Sequence, residues 1–519
     1  MTSLDALDEG SPATPPRPPG RRLAPFVARP GVFAPLTGTL AAALMAVRLF
    51  VPGPIGMADN GDAGVRMCAL DLIVRVDHGS VPFLKYANFG YAKAAPYICS
   101  PDQTYRGSGE LLLRPAKPLT RMLGLPGVLD LRALAVLFCL IVGAAFAVFA
   151  AALRGSLRAR LLVCAALFVV VGDTTFAGYA ASPYSELAGL AGLLIATAGA
   201  THLGGSPRTR FCGLAVFTAG AVLAVGSKVQ SATMAVPFLA LLCFTKVPLG
   251  RAAGRIASRV LPLLAAAAVV ASGLFAMEVS PAEFRVMNPT EMIFVGLLGT
   301  SSSPAAAAAD LGLPESFAQY AGKSWWADHP PQRDPAWPTV RDRMTYRNIA
   351  GFLATHPGVT LRLAAHSMED FGAAYPSYLG SYPASAGLPP TARESRLAVY
   401  GSLLRDVGGG LLVLVLGIGA AGIAWVRRVR DNPRRRAFVA TMLCLAGVTA
   451  VQFLTATYGE AIEGTKHLVF AIFGAGLVLV MTATAAFCTP APTARPAGPL
   501  PTPREERDTA PERTPAPAN

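Results

Sequence analysis

The sequence predicts an all-α polytopic membrane protein with about ten transmembrane helices. Of its 519 residues, 53% are hydrophobic and only 15% are charged, whereas about a quarter of the residues in soluble domains are charged. The mean hydropathy is +0.45, and apolar runs of the length that crosses a bilayer recur along the chain. Basic residues are concentrated in alternate loops. Hydropathy, run length and charge distribution all indicate the same fold class.

The ten predicted spans are separated by short loops that are alternately rich in Arg and Lys and nearly free of them. By the positive-inside rule, both termini are cytoplasmic, and the net charge of +14 reflects membrane topology rather than nucleic-acid binding. The predicted spans are 33–52, 131–153, 161–180, 186–203, 211–226, 229–245, 260–278, 408–426, 437–457 and 467–487. The loops predicted to lie outside are 53–130, 172–185, 226–229, 279–407 and 458–466.

The predicted domain organisation is one transmembrane domain between two disordered cytoplasmic segments. Residues 1–30 and 489–519 are rich in Pro and polar residues and bury too little apolar surface to fold. The transmembrane domain, 31–488, includes two long extracytoplasmic loops, 53–130 and 279–407, and loops of this length are usually functional.

Local patterns predict some structure within these two loops. Apolar spacing predicts a surface helix over Ala63–Val76. Two short amphipathic helices are predicted over Arg341–Met368, with a break at His356-Pro357. Cys68 and Cys99 lie in the first loop, and the sequence leaves open whether they form a disulfide.

The first candidate site follows the first predicted span. Asp59 and Asp62 lie near the membrane boundary, where a carboxylate is costly and is usually retained for function. Such a group can accept a proton from a sugar hydroxyl or hold a divalent cation. The alternative is a helix N-cap, because an Asp before a helix that begins near Ala63 accepts hydrogen bonds from free N–H groups. The sequence leaves both interpretations open.

The second candidate site lies between the third and fourth predicted spans. Asp173, Tyr179, Tyr184 and Glu186 stand close together at the membrane boundary. Ionisable residues at such a depth suggest a functional site. The alternative is interfacial tyrosines together with a helix cap, because Ser182 or Ser185 followed by Glu186 suits the start of a helix.

Two further candidates lie in short outer loops. Lys228, followed by Gln230, opposes the charge bias of its side, which a bound lipid-carrier phosphate or snorkelling to lipid headgroups would explain. Lys466 and His467, which follow two glutamates in the loop 458–466, can contact the carrier phosphate or a sugar, or His467 is a boundary residue without a function. All four candidates map to one predicted face of the membrane.

These motifs resemble those of the GT-C superfamily of membrane glycosyltransferases, and among them the bacterial glycan-biosynthesis hexose transferases of the WsfD type. The resemblance covers roughly 33–487. Those proteins carry an Asn-Gly-Asp turn followed by an aromatic residue and Arg-Val; here the aromatic residue is missing and Arg66 is kept. A Tyr-x-x-Ser-x-Tyr-x-Glu pattern is matched by Tyr179, Ser182, Tyr184 and Glu186. A Ser-Lys-x-Gln turn is matched by Ser227, Lys228 and Gln230, and a Lys-His pair is matched by Lys466 and His467.

The resemblance implies an enzyme in the bacterial plasma membrane that moves a sugar from a polyprenyl-phosphate donor to a cell-envelope glycan or other acceptor. It implies that Asp62 or Asp59 is the catalytic base on the extracytoplasmic side. Metal use differs across the superfamily, so a requirement for Mg²⁺ or Mn²⁺ stays open. The implied substrate-binding residues are Arg66, Asp173, Tyr179, Tyr184, Glu186, Lys228, Gln230, Lys466 and His467.

Two other functional classes compete with this interpretation. A lipid-linked glycan flippase or transporter would place ionisable residues in the middle of its spans. The predicted span centres are mostly Ala, Leu, Val and Gly, and the charges lie at the outer boundary, which favours an enzyme. A non-catalytic envelope scaffold would need neither Asp62 nor Lys228.

Overall fold

The computed structural model describes residues 28–58, 62–74, 85–95, 98–99, 104–248, 257–373, 376–390 and 392–489. The two segments predicted to be disordered therefore lie almost wholly outside the described residues. The described chain is mostly helical, as predicted, and it also contains two small sheets that were not predicted.

Each of the ten predicted spans coincides with helical structure. In order, these segments are Pro30–Phe50, Leu131–Ala152, Leu157–Val171 with Thr174–Ala177 and Gly178–Ala181, Ser185–Ala200, Pro207–Val225, Gln230–Met234 with Ala235–Phe244, Ala257–Glu278, Gly409–Arg428, Pro433–Gly459 and Val469–Phe487. Among the described residues, seven helices are long and apolar enough to cross a membrane, and a bent pair raises the number to eight.

The third, fourth and sixth segments differ from the straight spans that the sequence predicts. The third bends by 52° between Leu157–Val171 and Thr174–Ala181. The fourth and sixth contain shorter apolar helices, Glu186–Ala200 and Gln230–Phe244. The bend has a local cause, because Asp173 ends one helix and caps the next by accepting a hydrogen bond from the backbone N–H of Thr175 at 3.0 Å.

Small residues let neighbouring helices approach closely. A Cβ atom added to Gly192 would lie 2.4 Å from the backbone nitrogen of Ala224, and one added to Gly220 would lie 2.3 Å from that of Ala196. The helices Ser185–Ala200 and Pro207–Val225 therefore pack backbone to backbone, a contact typical of membrane helices. The Gly and Ala content that fills the span centres thus serves helix packing.

Both ends of the described chain lie at the same end of the helix bundle. The Arg160 guanidinium donates a hydrogen bond to the carbonyl oxygen of Ala28 at 2.7 Å. The backbone N–H of Arg154 donates to the carbonyl oxygen of Cys488 at 3.1 Å. This is the arrangement that an even number of antiparallel passes produces.

The two long loops are joined at the other end of the bundle by short strands. β1 (Gly56–Met57), from the first loop, pairs antiparallel with β5 (Leu379–Ser381), from the second. β2 (Leu72–Val74), β3 (Gly90–Lys93) and β4 (Leu129–Asp130) form an antiparallel sheet in the order β2-β3-β4. The loops thus form one continuous structure rather than two separate segments.

The prediction of a single helix over Ala63–Val76 is wrong. The helix runs from Asp62 to Cys68 only, Asp71 adopts a left-handed backbone conformation with φ of 56°, and β2 follows. The apolar residues of this region fit both a helix and a strand, and pairing with β3 selects the strand. A disulfide joins Cys68, at the end of the short helix, to Cys99.

The second long loop folds around a small hydrophobic core of its own, which includes Phe294, Phe317 and Phe352. The predicted pair of helices is present as Tyr346–Thr355 and Pro357–Gly372. The other helical elements of this loop are Phe284–Glu291, Met292–Leu298, Pro304–Asp310, Glu315–Tyr320, Pro331–Arg333, Trp337–Val340, Arg341–Arg343, Ala384–Ala386 and Val399–Val407. Two more helices, Glu110–Met122 and Gly464–His467, lie in other loops.

A buried arginine near the end of the first long helix ties three distant segments together. Arg48 forms an ion pair with Glu394 and donates hydrogen bonds to the carbonyl oxygen of Gly172 at 3.1 Å and the hydroxyl of Thr174 at 3.1 Å. Arg396 also bonds Glu394, at 2.7 Å. The charge of Arg48 is thus satisfied by groups from two distant regions of the sequence, around residues 172–174 and at Glu394.

Candidate functional site

A buried ion pair forms the centre of the candidate site. Glu186 is in the first turn of the helix Ser185–Ala200, and Lys228 is in the turn that precedes Gln230–Met234. The Lys228 ammonium donates a hydrogen bond to Glu186 Oε1 at 3.0 Å, and both side chains are almost inaccessible to solvent. A buried pair of this kind needs further polar partners to offset its desolvation.

The loop between the last two long helices supplies those partners. His467 Nδ1 lies 2.9 Å from Lys228 Nζ and also contacts the carboxylate of Glu460. The side-chain amide of Gln230 donates a hydrogen bond to the carbonyl oxygen of His467 at 2.7 Å. The predicted residues Lys228, Gln230 and His467 therefore meet at one place with Glu186, although they come from three parts of the sequence.

The charge of Glu460 is strongly stabilised in this environment. Burial alone would raise the pKa of Glu460, but the positive charges of His467, Lys228 and Lys466 outweigh burial and lower the pKa to about 2. Glu460 is therefore ionised at neutral pH. The carboxylate of Glu460 and the ammonium of Lys228 both contact Nδ1 of His467, and together they hold its ring in one orientation.

The first long loop is anchored directly to the Lys228 turn. The backbone N–H of Val229 donates to the phenolic oxygen of Tyr105 at 3.1 Å, and the N–H of Ser108 donates to the carbonyl oxygen of Gly226 at 2.7 Å. Between them, a Cβ on Gly107 would lie 2.8 Å from the carbonyl oxygen of Ser227, so only glycine fits there. Sequence reasoning missed this segment, because contacts across more than a hundred residues leave no local pattern.

Arg66 adds a positive charge to this anchor. The guanidinium of Arg66 lies over the ring of Tyr105, 4.1 Å from its centroid, in a cation–π contact. The hydroxyl of Tyr105 in turn accepts from the backbone N–H of Val229, the residue after Lys228. A positive charge from the first long loop is thus held at the anchor of the Lys228 turn.

Lys466 and Glu463 form a second part of the cluster beside two tyrosines. Lys466 Nζ lies 2.7 Å from Glu463 Oε2 and 4.9 Å from the ring centroid of Tyr184. The ring of Tyr184 packs edge to face against Tyr378 at 6.0 Å, and the Tyr378 hydroxyl lies 3.5 Å from Glu463 Oε1. Tyr378 belongs to the second long loop, and nothing in its local sequence indicated that it reaches the cluster.

Tyr179 contributes a buried hydroxyl group to the same region. Its side chain is inaccessible to solvent, and its hydroxyl has no hydrogen-bond partner among the described residues. The segment that carries Tyr179 packs against β5 next to Tyr378, because a Cβ added to Gly178 would lie 2.7 Å from the backbone nitrogen of Gly380. Buried polar groups are nearly always paired, and an unpaired one is a candidate contact for a ligand or a water molecule.

Asp173 is the predicted site residue that the structure keeps apart from the cluster. One carboxylate oxygen accepts from the backbone and the hydroxyl of Thr175, and the other accepts from the backbone N–H groups of Tyr400 and Gly401 at 2.8 Å and 3.2 Å. Asp173 therefore joins the bend in the third segment to the helix Val399–Val407. Its contacts support a structural function rather than substrate binding.

Of the two predicted catalytic aspartates, Asp62 begins the helix Asp62–Cys68, which also carries Arg66. Asp59 lies outside the described residues. Among the described side chains, no three His, Cys, Asp or Glu residues are placed to hold a metal ion.

The arrangement is suited to binding a ligand that carries both negative charge and hydroxyl groups. Three cationic side chains, Arg66, Lys228 and Lys466, stand beside carboxylates at the ends of apolar helices. The fixed charges are already in place, so little reorganisation is needed when an anionic group enters.

Comparison with known proteins identifies the family but not a detailed template. No curated protein matches the chain, and no solved structure matches it. The model of the YfdI N-terminal transmembrane domain matches residues 32–495, and the chain therefore belongs to this family of membrane domains.

Proposed function

We propose that the protein is an integral-membrane glycosyltransferase of the GT-C type. It transfers a sugar, by hexosyl transfer, from a polyprenyl-phosphate donor to a cell-envelope glycan or other acceptor on the extracytoplasmic side of the bacterial plasma membrane. Both termini are cytoplasmic in this proposal, and the protein acts in glycan biosynthesis. The observation that carries the proposal is the meeting of Glu186, Lys228 and His467 at the ends of apolar helices, with Arg66 stacked on Tyr105 of the neighbouring anchor.

The position of this cluster fits the chemistry of the donor. A polyprenyl phosphate has a charged headgroup on an apolar tail, so its reacting atoms lie where apolar helices end. The departing phosphate gains negative charge as the glycosidic bond breaks, and nearby cations stabilise it. Lys228 and Arg66 supply this charge, while Glu186 and Glu460 keep Lys228 and His467 in place before the donor arrives.

The acceptor hydroxyl needs a base close to the same place. Asp62 is our candidate, and Asp59 is the alternative. Asp62 precedes Arg66 by one helical turn in the helix Asp62–Cys68, and one turn advances the chain by about 5.4 Å. The helix Asp62–Cys68 thus carries both the candidate base and Arg66, and Arg66 stacks on Tyr105, which binds the Lys228 turn. Membership of the YfdI family also supports a membrane glycosyltransferase function.

The proposal is tested by Asp62→Asn and Asp59→Asn in the full-length protein. Each purified variant is reconstituted in vesicles with a polyprenyl-phosphate hexose and a glycan acceptor, and transferred sugar is measured. We expect Asp62→Asn to abolish transfer while expression and melting temperature are unchanged. Loss of transfer in Asp59→Asn alone would move the base to that residue, and full activity in both variants would refute a base in this turn.

A second measurement separates an enzyme from a transporter. In the same vesicles, the amount of lipid-linked sugar that is consumed is compared with the amount that crosses the bilayer. Consumption with formation of a glycosylated acceptor supports the enzyme. Translocation of intact lipid-linked sugar without consumption would contradict it and would identify a flippase.

A further inference from the structure

We propose that Tyr179, Tyr184, Tyr378 and Glu463 form the subsite that holds the sugar ring of the donor, separate from the cations that hold its phosphate. This inference rests on the proposed function and assigns the two chemical parts of the donor to two parts of the cluster. Tyr179 is the residue that distinguishes a sugar-loaded carrier from a bare one. We call these four residues the tyrosine subsite.

The unpaired hydroxyl of Tyr179 is the main observation. Tyr179 is fully buried, and its hydroxyl has no partner in the described part of the chain, whereas Tyr400, which is also buried, donates its hydroxyl to the carbonyl oxygen of Ile472 at 2.8 Å. Leaving a buried hydroxyl unpaired is unfavourable, so a partner outside the protein would be bound more tightly than an ordinary surface contact. A phenolic hydroxyl can donate one hydrogen bond and accept others.

The neighbouring charges decide which ligand group fits this hydroxyl. Tyr179 follows Gly178, which packs against β5 next to Tyr378, and Lys466 is already paired with Glu463 at 2.7 Å. A phosphate at this position would face the Glu463 carboxylate, whereas a neutral hydroxyl can donate to Glu463 and accept from Tyr179. A polyhydroxylated ring therefore fits this side of the cluster better than an anion does.

The aromatic rings provide the walls that a sugar ring requires. Tyr184 is buried, while Tyr378 is partly exposed and packs against it edge to face. Tyr378 comes from the second long loop next to β5, and its hydroxyl approaches Glu463 Oε1 at 3.5 Å. Apolar ring surface together with a few placed polar groups is the usual composition of a small-ligand site.

The backbone at Glu463 is also unusual. Glu463 adopts φ of 52°, in the left-handed region that glutamate seldom occupies, and its side chain is held by Lys466. A backbone conformation of this kind costs free energy and is retained where the side chain must take one orientation. It directs the Glu463 carboxylate toward the hydroxyl of Tyr378.

The two parts of the cluster meet at Glu186. Its carboxylate binds Lys228 directly, and its helix begins immediately after Tyr184 of the tyrosine subsite. Such a division places the bond between sugar and phosphate next to Glu186. The phosphate lies on the side of Lys228 and Arg66, and the sugar lies on the side of Tyr179.

The test is the substitution Tyr179→Phe, which removes the hydroxyl and keeps the ring. Binding to the full-length protein in detergent is measured for bare polyprenyl phosphate and for polyprenyl phosphates that carry glucose, galactose or mannose. We expect at least one hexose to bind the wild type more tightly than the bare carrier, and the variant to lose about tenfold of that affinity. Binding of the bare carrier stays the same, and the melting temperature of the variant is equal or higher.

Tyr400→Phe is the matched control. It also removes a buried hydroxyl, but one that is bonded within the protein, so it lowers the melting temperature without changing the preference for a loaded carrier. If Tyr179→Phe preserves that preference, or if no loaded carrier binds better than the bare one, the tyrosine subsite is refuted while carrier binding survives. If neither bare nor loaded carrier binds the wild type, the proposed function itself fails.

Discussion

Lys228 and Glu186 are 42 positions apart in the sequence, yet the Lys228 ammonium lies 3.0 Å from a carboxylate oxygen of Glu186 and both side chains are buried. An ion pair removed from water in this way is costly to form and more costly to break, because the remaining partner is left with an uncompensated charge. The pair therefore couples the stability of the helix ends to the integrity of the candidate site.

The first prediction concerns this pair. Lys228→Gln and Glu186→Gln each lower the free energy of unfolding by about 3 kcal/mol, because each leaves one charge buried and unpaired. The double variant loses less than the sum, since no isolated charge remains. Denaturant titration in detergent measures the four proteins of the cycle, and strictly additive losses would contradict the coupling.

The second prediction concerns pH. The pKa of Glu460 is lowered from 4.5 to about 2 in the folded protein. Its ionised form is thus favoured by folding, and this stabilisation is complete above the ordinary pKa and is lost as the pH falls from about 4.5 to about 2. The contribution is at most about 3 kcal/mol. On acidification across this range, wild type loses more stability than Glu460→Gln, as followed by melting temperature; parallel curves would show that Glu460 is not stabilised in this way.

The third prediction concerns the anchor of the first long loop. Gly107→Ala places a methyl group 2.8 Å from the carbonyl oxygen of Ser227, so the loop must move away from the Lys228 turn. We expect a loss of about 1–3 kcal/mol of stability and strongly reduced sugar transfer. Gly351→Ala is the matched control, because nothing lies within 4 Å of the added atom in its helix; stability there rises slightly. Equal behaviour of the two variants would argue against the anchor.

The fourth prediction separates structure from chemistry at Asp173. Asp173→Asn turns an amide N–H₂ toward donors that need an acceptor, and we expect a loss of about 2 kcal/mol of stability. Sugar transfer per folded molecule should match wild type, unlike in Glu186→Gln. A selective loss of transfer with unchanged stability would return Asp173 to the list of substrate-binding residues.

The fifth prediction concerns the disulfide between Cys68 and Cys99. Without reductant, neither residue reacts with a maleimide, whereas both react after reduction. The bond closes a loop with a sequence separation of 31, so Cys68→Ser lowers stability by about 3 kcal/mol. Mass spectrometry of alkylated peptides reads out the pairing, and labelled Cys68 in unreduced protein would contradict it.

Hydropathy was sufficient to locate all ten apolar segments, since the length of an apolar run is a local property of the chain. Hydropathy did not predict the bend at Asp173. The sequence does not distinguish a boundary carboxylate that binds a ligand from one that accepts a hydrogen bond from the backbone of Tyr400. The helix predicted over Ala63–Val76 failed for a related reason. The strand β2 is stabilised by its partner β3, and no property of 72–74 alone reveals that partner.

Much of the candidate site was also predictable, because Glu186, Lys228, Lys466 and His467 are polar residues at the ends of apolar runs. The contributions of Tyr105, Gly107 and Tyr378 were not predictable. Each depends on a contact with a distant segment, such as the hydrogen bond from the N–H of Val229 to Tyr105 across 124 positions. Asp59 stays a prediction, since it lies outside the described residues.

The pairing of Arg48 with Glu394 has a consequence for biogenesis. Arg48 is synthesised in the first long helix, but its carboxylate partner follows 346 residues later, after seven of the ten apolar segments. Until then the nascent first helix carries an uncompensated charge at its end. Its final position in the bilayer is therefore reached late, and chains truncated before Glu394 should be preferred substrates of membrane quality-control proteases.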